Sequence, residues 1–188
     1  IFQFIAHNKG FKDLELIITT PGVNLIEQHE REVTPLIEYL NKSYKNKVRL
    51  TIDTTSALLN KAADFFNFPD DKSRQRLILV DEAHKYRNHT SQAFGLLQRI
   101  CKAPRNGEGL VTGKNKKVIL ISATPLNNRP QDLYYQLLLF QDARRSTLPV
   151  TNLQSFFGPI IREYKDVMRE DEPNVEKIRE LYNTIREK

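Results

Sequence analysis

The 188 residues contain no Trp, a single Cys, a single Met and only seven Gly. Cys101 has no partner for an internal disulfide, which excludes a disulfide-stapled scaffold and fits a reducing compartment. No apolar run approaches the roughly 18 to 20 residues of a membrane-spanning helix, so membrane classes are excluded and an intracellular setting, cytoplasmic or nuclear, is expected. The glycines follow no three-residue period, so the chain is not collagen-like. They fall singly or as Gly107-x-Gly109, and none belongs to a G-x-x-x-x-G-K-[ST] phosphate loop. What is present is a globular composition. A hydrophobic fraction of 39% beside 28% charged residues is enough to close a core over one domain, or one domain with an appendage.

The formal charge is +6 and is unevenly spread. Between Lys85 and Lys117 stand eight basic residues (85, 87, 99, 102, 105, 114, 116 and 117) against one acid, Glu108, so this stretch holds more than the whole net charge. Such a stretch is the electrostatic footprint of a polyanion partner; a loop of solvated lysines gives the same count.

Four aliphatic runs read as buried strands: LELIITT at 14–20, VRLTI at 48–52, RLILVD at 76–81 and KVILIS at 117–122. Their apolar residues are nearly continuous rather than alternating, which suits a parallel sheet covered on both faces. Helical patterns separate them. Leu25, Ile26, His29 and Val33 keep helical spacing, and Thr34-Pro35 predicts a fresh helix start with Pro at its first position, followed by a second helix over 36–40. Further helices are expected from Ser56 and Thr90, and 103–117, with three glycines, is expected to be an exposed loop. Beyond about residue 128 strand signals stop. Helices are predicted from Pro130, over 156–168 and from Pro173, as a helical appendage.

Three strand ends carry chemistry. RLILVDEAHKYRN at 76–88 ends a buried strand in two adjacent carboxylates, Asp81 and Glu82. Because successive strand residues point to opposite sides, one can serve a metal ion while the other reaches a water before a phosphate. Adjacent acids repel each other unless a divalent cation compensates them; simple capping of the following helix is the structural alternative. KVILISATPLNN at 117–128 delivers Ser122, Ala123 and Thr124 to the carboxyl end of another strand, where open α/β sheets bind ligands, although such hydroxyls also satisfy turns. LIITTPGVNLIEQHEREV at 16–33 places Thr19, Thr20, Pro21 and Gly22 before a helix, aiming donors at an anion.

In this order and spacing the three stretches resemble the ATPase domain of superfamily-two helicases, and most of all Swi/Snf-type ATP-dependent DNA translocases. Lys85, Tyr86, Arg87 and Asn88 match that family's extension of DEAH, and 122–128 match its Ser-Ala-Thr-Pro-Leu-Asn-Asn motif. The resemblance implies a RecA-like three-layer α/β domain with a mainly parallel sheet and a C-terminal helical appendage. It divides the chain into a partial ATP-binding lobe over 1–128 and a helical insertion over 129–188. It implies that Asp81 binds Mg²⁺ through water, that Glu82 polarises the attacking water, and that His84 couples the nucleotide site to Ser122, Ala123 and Thr124. Thr20 and Pro21 would lie on the phosphate track of double-stranded DNA. His29 and His89 receive no role from the resemblance and are expected to be ordinary core or surface histidines.

IFQFIAH at the start reads as the remainder of a helix, so a fragment is expected, with the phosphate loop and a second ATPase lobe belonging to the same longer protein. ATP and Mg²⁺ are then cofactors of the parent protein and are not expected to bind the fragment. Loss of the phosphate-loop strand would leave KVILIS on an exposed edge. Two function classes follow: part of an ATP-driven motor on duplex DNA, or a non-catalytic nucleic-acid-binding or scaffold module that retains the helicase fold.

Overall fold

A computed structural model describes residues 13–43, 47–58, 60–61, 74–104, 109–123 and 129–188. IFQFIAH and Thr124 lie outside the described residues. Four parallel strands form the main sheet: β1 (Asp13–Thr20), β2 (Lys47–Thr54), β3 (Arg74–Val80) and β6 (Lys116–Leu120), in the order β2-β1-β3-β6. All four predicted strands are therefore present. Their aliphatic runs are inward-facing on both sides. Leu14, Leu16, Ile18, Leu77 and Leu79 pack under helix α1 (Asn24–Ser43), whereas Ile17, Ile78 and Val80 pack against α3 (Gln92–Cys101) and Leu139, which follows α4 (Pro130–Leu138). Each such side chain, fully buried, contributes about 1.5–3 kcal/mol of transfer free energy. Two covered faces make the three-layer α/β architecture.

Register aligns the carboxyl ends. Thr20 stands opposite Thr54, Thr19 opposite Val80, and Val80 opposite Leu120. The chain leaves β1 through α1 on one face and leaves β3 through α3 on the other. The gap between β1 and β3 is thus a topological switch point, where open α/β sheets bind ligands.

Two expectations are corrected. Thr34-Pro35 does not start a new helix: α1 runs unbroken with Pro35 inside it. An internal proline costs roughly 3 kcal/mol or more. It is tolerated because Val33, Ile37 and Leu40 continue one buried stripe through it while Pro35 itself faces solvent. The second correction concerns 103–117. Rather than a plain exposed loop, it contributes to an antiparallel hairpin of β4 (Lys102–Pro104) and β5 (Leu110–Thr112), and Ala103, Asn115 and Lys116 are buried. Three-residue strands are too short to show a period, which hid them.

After β6 come α4, α5 (Leu153–Val167) and α6 (Val175–Arg186), the predicted helical tail. Asn152 and Asn174 cap the last two, accepting from Ser155 N–H and Lys177 N–H. Tyr135, Leu138 and Phe140 pack against the core around α3. Among the described residues β6 has a strand on one side only, and Ile119 and Ile121 are 38% and 44% exposed, as expected of an unpaired edge.

Candidate active site

At the switch point three backbone bonds tie the strand ends together. Asp81 N–H donates to Thr19 O (2.9 Å), Ile121 N–H to Val80 O (2.9 Å) and Ala83 N–H to Ile121 O (2.8 Å). Asp81 and Glu82 therefore leave β3 held between the ends of β1 and β6. Asp81 Oδ1 accepts the Glu82 N–H at 2.9 Å, and Asp81 Oδ2 lies 3.0 Å from His29 Nε2 on α1.

Glu82 adopts a left-handed conformation, φ 50° and ψ 45°; among the described residues it is the only non-glycine with positive φ. That conformation costs about 1–2 kcal/mol for an L-residue, and such strain concentrates at functional sites. The turn breaks the strand abruptly and starts the 3-10 turn Ala83–Tyr86. Glu82 Oε2 is shielded from solvent and lies 3.1 Å from His84 Nδ1. His84 Nδ1 is also 3.4 Å from Ser122 Oγ, beyond the end of β6. One imidazole nitrogen thus stands between the carboxylate of Glu82 and the hydroxyl of Ser122. Ala123 follows, exposed.

Behind the carboxylates runs a buried hydroxyl chain. Thr55 opens the short helix α2 (Thr55–Leu58) that follows β2; its Oγ1 lies 2.9 Å from Thr19 Oγ1 and is hydrogen-bonded in turn to Tyr86 OH. Burial pushes the Tyr86 phenol up from its ordinary value, against the hydrogen bonds from Thr55 and Thr19, so it stays protonated and able to donate. The chain connects the ends of β1 and β2 to the 3-10 turn carrying His84.

The remaining candidates are placed less directly. Thr20 is fully buried and its hydroxyl donates to Gly22 O at 2.6 Å, so it presents no hydroxyl to a phosphate in this arrangement; Pro21 is half-buried beside it. Of the basic stretch, Lys85, Arg87, Arg99, Lys114 and Lys117 are exposed, but Lys102 and Lys116 are buried, with Lys116 Nζ donating to Lys102 O. Burial lowers the Lys102 pKa, opposed by Asp142. The footprint is therefore smaller than the charge count suggested. Asn88 shapes the next turn: its side chain accepts from Thr90 N–H (3.2 Å) and its carbonyl from Ser91, the N-cap of α3. His89 is an exposed histidine stacked on Tyr135, centroids 4.1 Å apart.

Sequence reading missed His29, Thr55 and Tyr86. His29 had a signal, because it shares one helical stripe with Leu25 and Val33 and so faces inward. Its partner, 52 residues away, had none.

No protein-family profile matches the chain, and no curated protein matches it in sequence. Among solved structures, the Sulfolobus solfataricus SWI2/SNF2 ATPase core in complex with dsDNA is similar, with a TM-score of 0.56 and 16% identity. The match covers 98% of this chain and 34% of that one, so the chain spans about a third of its length. At that identity the likeness shows the fold: a parallel α/β domain of the kind found in an ATPase core. Among the described residues no helix is long and apolar enough to cross a membrane.

Proposed function

We propose that this chain is part of the first ATPase lobe of a Mg-ATP-driven translocase on double-stranded DNA, with the lobe over 1–128 and a helical insertion over 129–188. The observation that carries the reading is the position of Asp81-Glu82: two acids at the carboxyl edge, at the switch point, with Glu82 in a strained left-handed conformation. Glu82 stands at the N-cap position of the 3-10 turn but makes no side-chain cap hydrogen bond of the kind a capping residue makes.

The donor set fits hydrated Mg²⁺. This hard cation is held in phosphoryl-transfer sites by one or two carboxylates, waters and substrate phosphates rather than by a cage of protein ligands. The chemistry that Mg²⁺ would supply there is neutralisation of the charge that develops on a phosphate during transfer. Asp81 would hold it through water. Glu82, on the far side of the turn, orients the attacking water and takes its proton at Oε2. His84, within reach of both Glu82 and Ser122, links the state of that carboxylate to the β6 end, where Ser122, Ala123 and Thr124 enter the coupling segment. The exposed Lys85, Arg87, Arg99, Lys114 and Lys117, with the Pro21 turn, supply the surface for DNA phosphates. The phosphate cradle and second lobe are assigned to the rest of a longer protein.

The test is substitution in the full-length protein. Glu82→Gln preserves shape and removes the base, so hydrolysis should fall on the order of 10²- to 10⁴-fold while ATP still binds. Asp81→Asn should weaken the Mg²⁺ interaction as well. Unchanged turnover in Glu82→Gln, or no turnover in the wild type, would favour the scaffold reading.

A further inference from the structure

We infer that His29 is the positioning residue of Asp81, the side chain that sets the plane of the proposed Mg²⁺-binding carboxylate. The inference rests on the nucleotide reading above and adds a residue to it. His29 Nε2 and Asp81 Oδ2 are 3.0 Å apart, and their side chains are only 19% and 16% exposed, so the contact is shielded from solvent rather than a mobile surface pair. A carboxylate accepts only, so Nε2 carries the hydrogen.

The other oxygen is also engaged, since Asp81 Oδ1 takes the Glu82 N–H. With one donor on each oxygen from two separate elements, rotation about the terminal bond of Asp81 is blocked. Each oxygen still keeps a lone-pair site for a water of a hydrated cation. Among the described residues no other side chain hydrogen-bonds to Asp81.

The support behind His29 is rigid. Helix α1 is fixed to the sheet by the buried stripe Val33, Ile37 and Leu40 and, at its far end, by Asn41, whose amide pairs with both the N–H and the carbonyl of Val48 at 2.8 and 3.0 Å. Leu25 and Val33, one turn either way on the same stripe, are apolar. A purely packing position would take a residue like theirs. An imidazole there places a donor 3.0 Å from the carboxylate at the strand end. Partners of metal-binding carboxylates that act in this way typically change metal affinity or activity 10- to 100-fold when removed.

The experiment uses the full-length protein and two variants: His29→Leu, which keeps the packing and removes the donor, and His29→Gln, whose amide N–H reaches a similar point. Mn²⁺ replaces Mg²⁺ as a spectroscopic probe. Binding of Mn-ATP is followed by electron paramagnetic resonance, independently of turnover, and binding of metal-free ATP is measured alongside. His29→Leu should weaken Mn-ATP binding on the order of tenfold with metal-free ATP unaffected, and His29→Gln should restore most of the loss. Equal Mn-ATP affinity in His29→Leu and the wild type overturns the assignment, and so does a His29→Gln variant as impaired as His29→Leu. A wild-type protein that binds no Mn-ATP overturns the nucleotide reading, and this role with it.

Discussion

Cys101 ends α3, buried under the sheet, and desolvation pushes its thiol up from the ordinary value of 9.0 to about 12, although Lys116, Arg76 and Lys102 pull the other way. The thiolate is the nucleophile, so the folded protein should react with a chromogenic thiol reagent at pH 8 far more slowly than the denatured chain does. The same shift has a linkage consequence. Above pH 9 the unfolded thiol ionises while the folded one keeps its proton, so the folded state binds more protons and stability falls as pH rises from about 9 toward 12. Cys101→Ala should flatten part of that slope in urea titrations at stepped pH. An unchanged slope, or rapid native labelling, would contradict the buried placement.

Between elements, two polar contacts carry stability that no hydropathy pattern displays. The paired Asn41 bonds join the end of α1 to the start of β2, and Asn41→Ala leaves both Val48 backbone groups without that partner. A loss of about 1–3 kcal/mol in urea unfolding is expected. Within the sheet, Glu15 on β1 stands in register with Arg76 on β3, and Glu15 Oε2 accepts from Arg76 Nε at 2.9 Å and Nη2 at 2.7 Å. Burial pulls the Arg76 pKa down while Glu15 raises it, and the guanidinium remains charged. Glu15→Ala removes the carboxylate that holds the buried Arg76 guanidinium in the sheet, and should cost up to about 3–5 kcal/mol. Glu15→Leu combined with Arg76→Met should regain most of it. A double variant no more stable than Glu15→Ala would show that the pair is not coupled.

At the scale of the whole molecule, the proposed DNA surface consists of the basic residues that remain exposed, not of every one in the 85–117 stretch. If the full-length protein binds duplex DNA through them, its affinity should fall with salt at a log–log slope of about −0.9 per neutralised phosphate. Replacing Lys85 and Arg87 should reduce the slope, whereas replacing the buried Lys116 should act on folding first. Filter binding or fluorescence anisotropy at several salt concentrations measures this. A flat response, or a slope insensitive to Lys85 and Arg87, would remove DNA from the proposed function.

How much was legible follows from the range over which each signal acts. The four sheet strands, the helix that ends at Cys101 and the carboxylates at a strand end could be read directly. Aliphatic runs and motif spacings are local properties, and burying both faces of a parallel sheet leaves a continuous apolar run in any such sequence. Pro35 misled because a local breaker was outweighed by a buried stripe extending on both sides of it. The short β4–β5 hairpin, the inward-turned Lys102 and Lys116, and the closed Thr20 hydroxyl depend on what packs against them, and composition carries no record of that. The sequence by itself determined an α/β chain with Asp81, Glu82 and Ser122 at strand ends. Only the tertiary structure decided that β1 lies beside β3. That adjacency brings His29 onto Asp81 and joins Thr19 and Thr55 to Tyr86, because strand order and register are set by the long-range packing of both sheet faces.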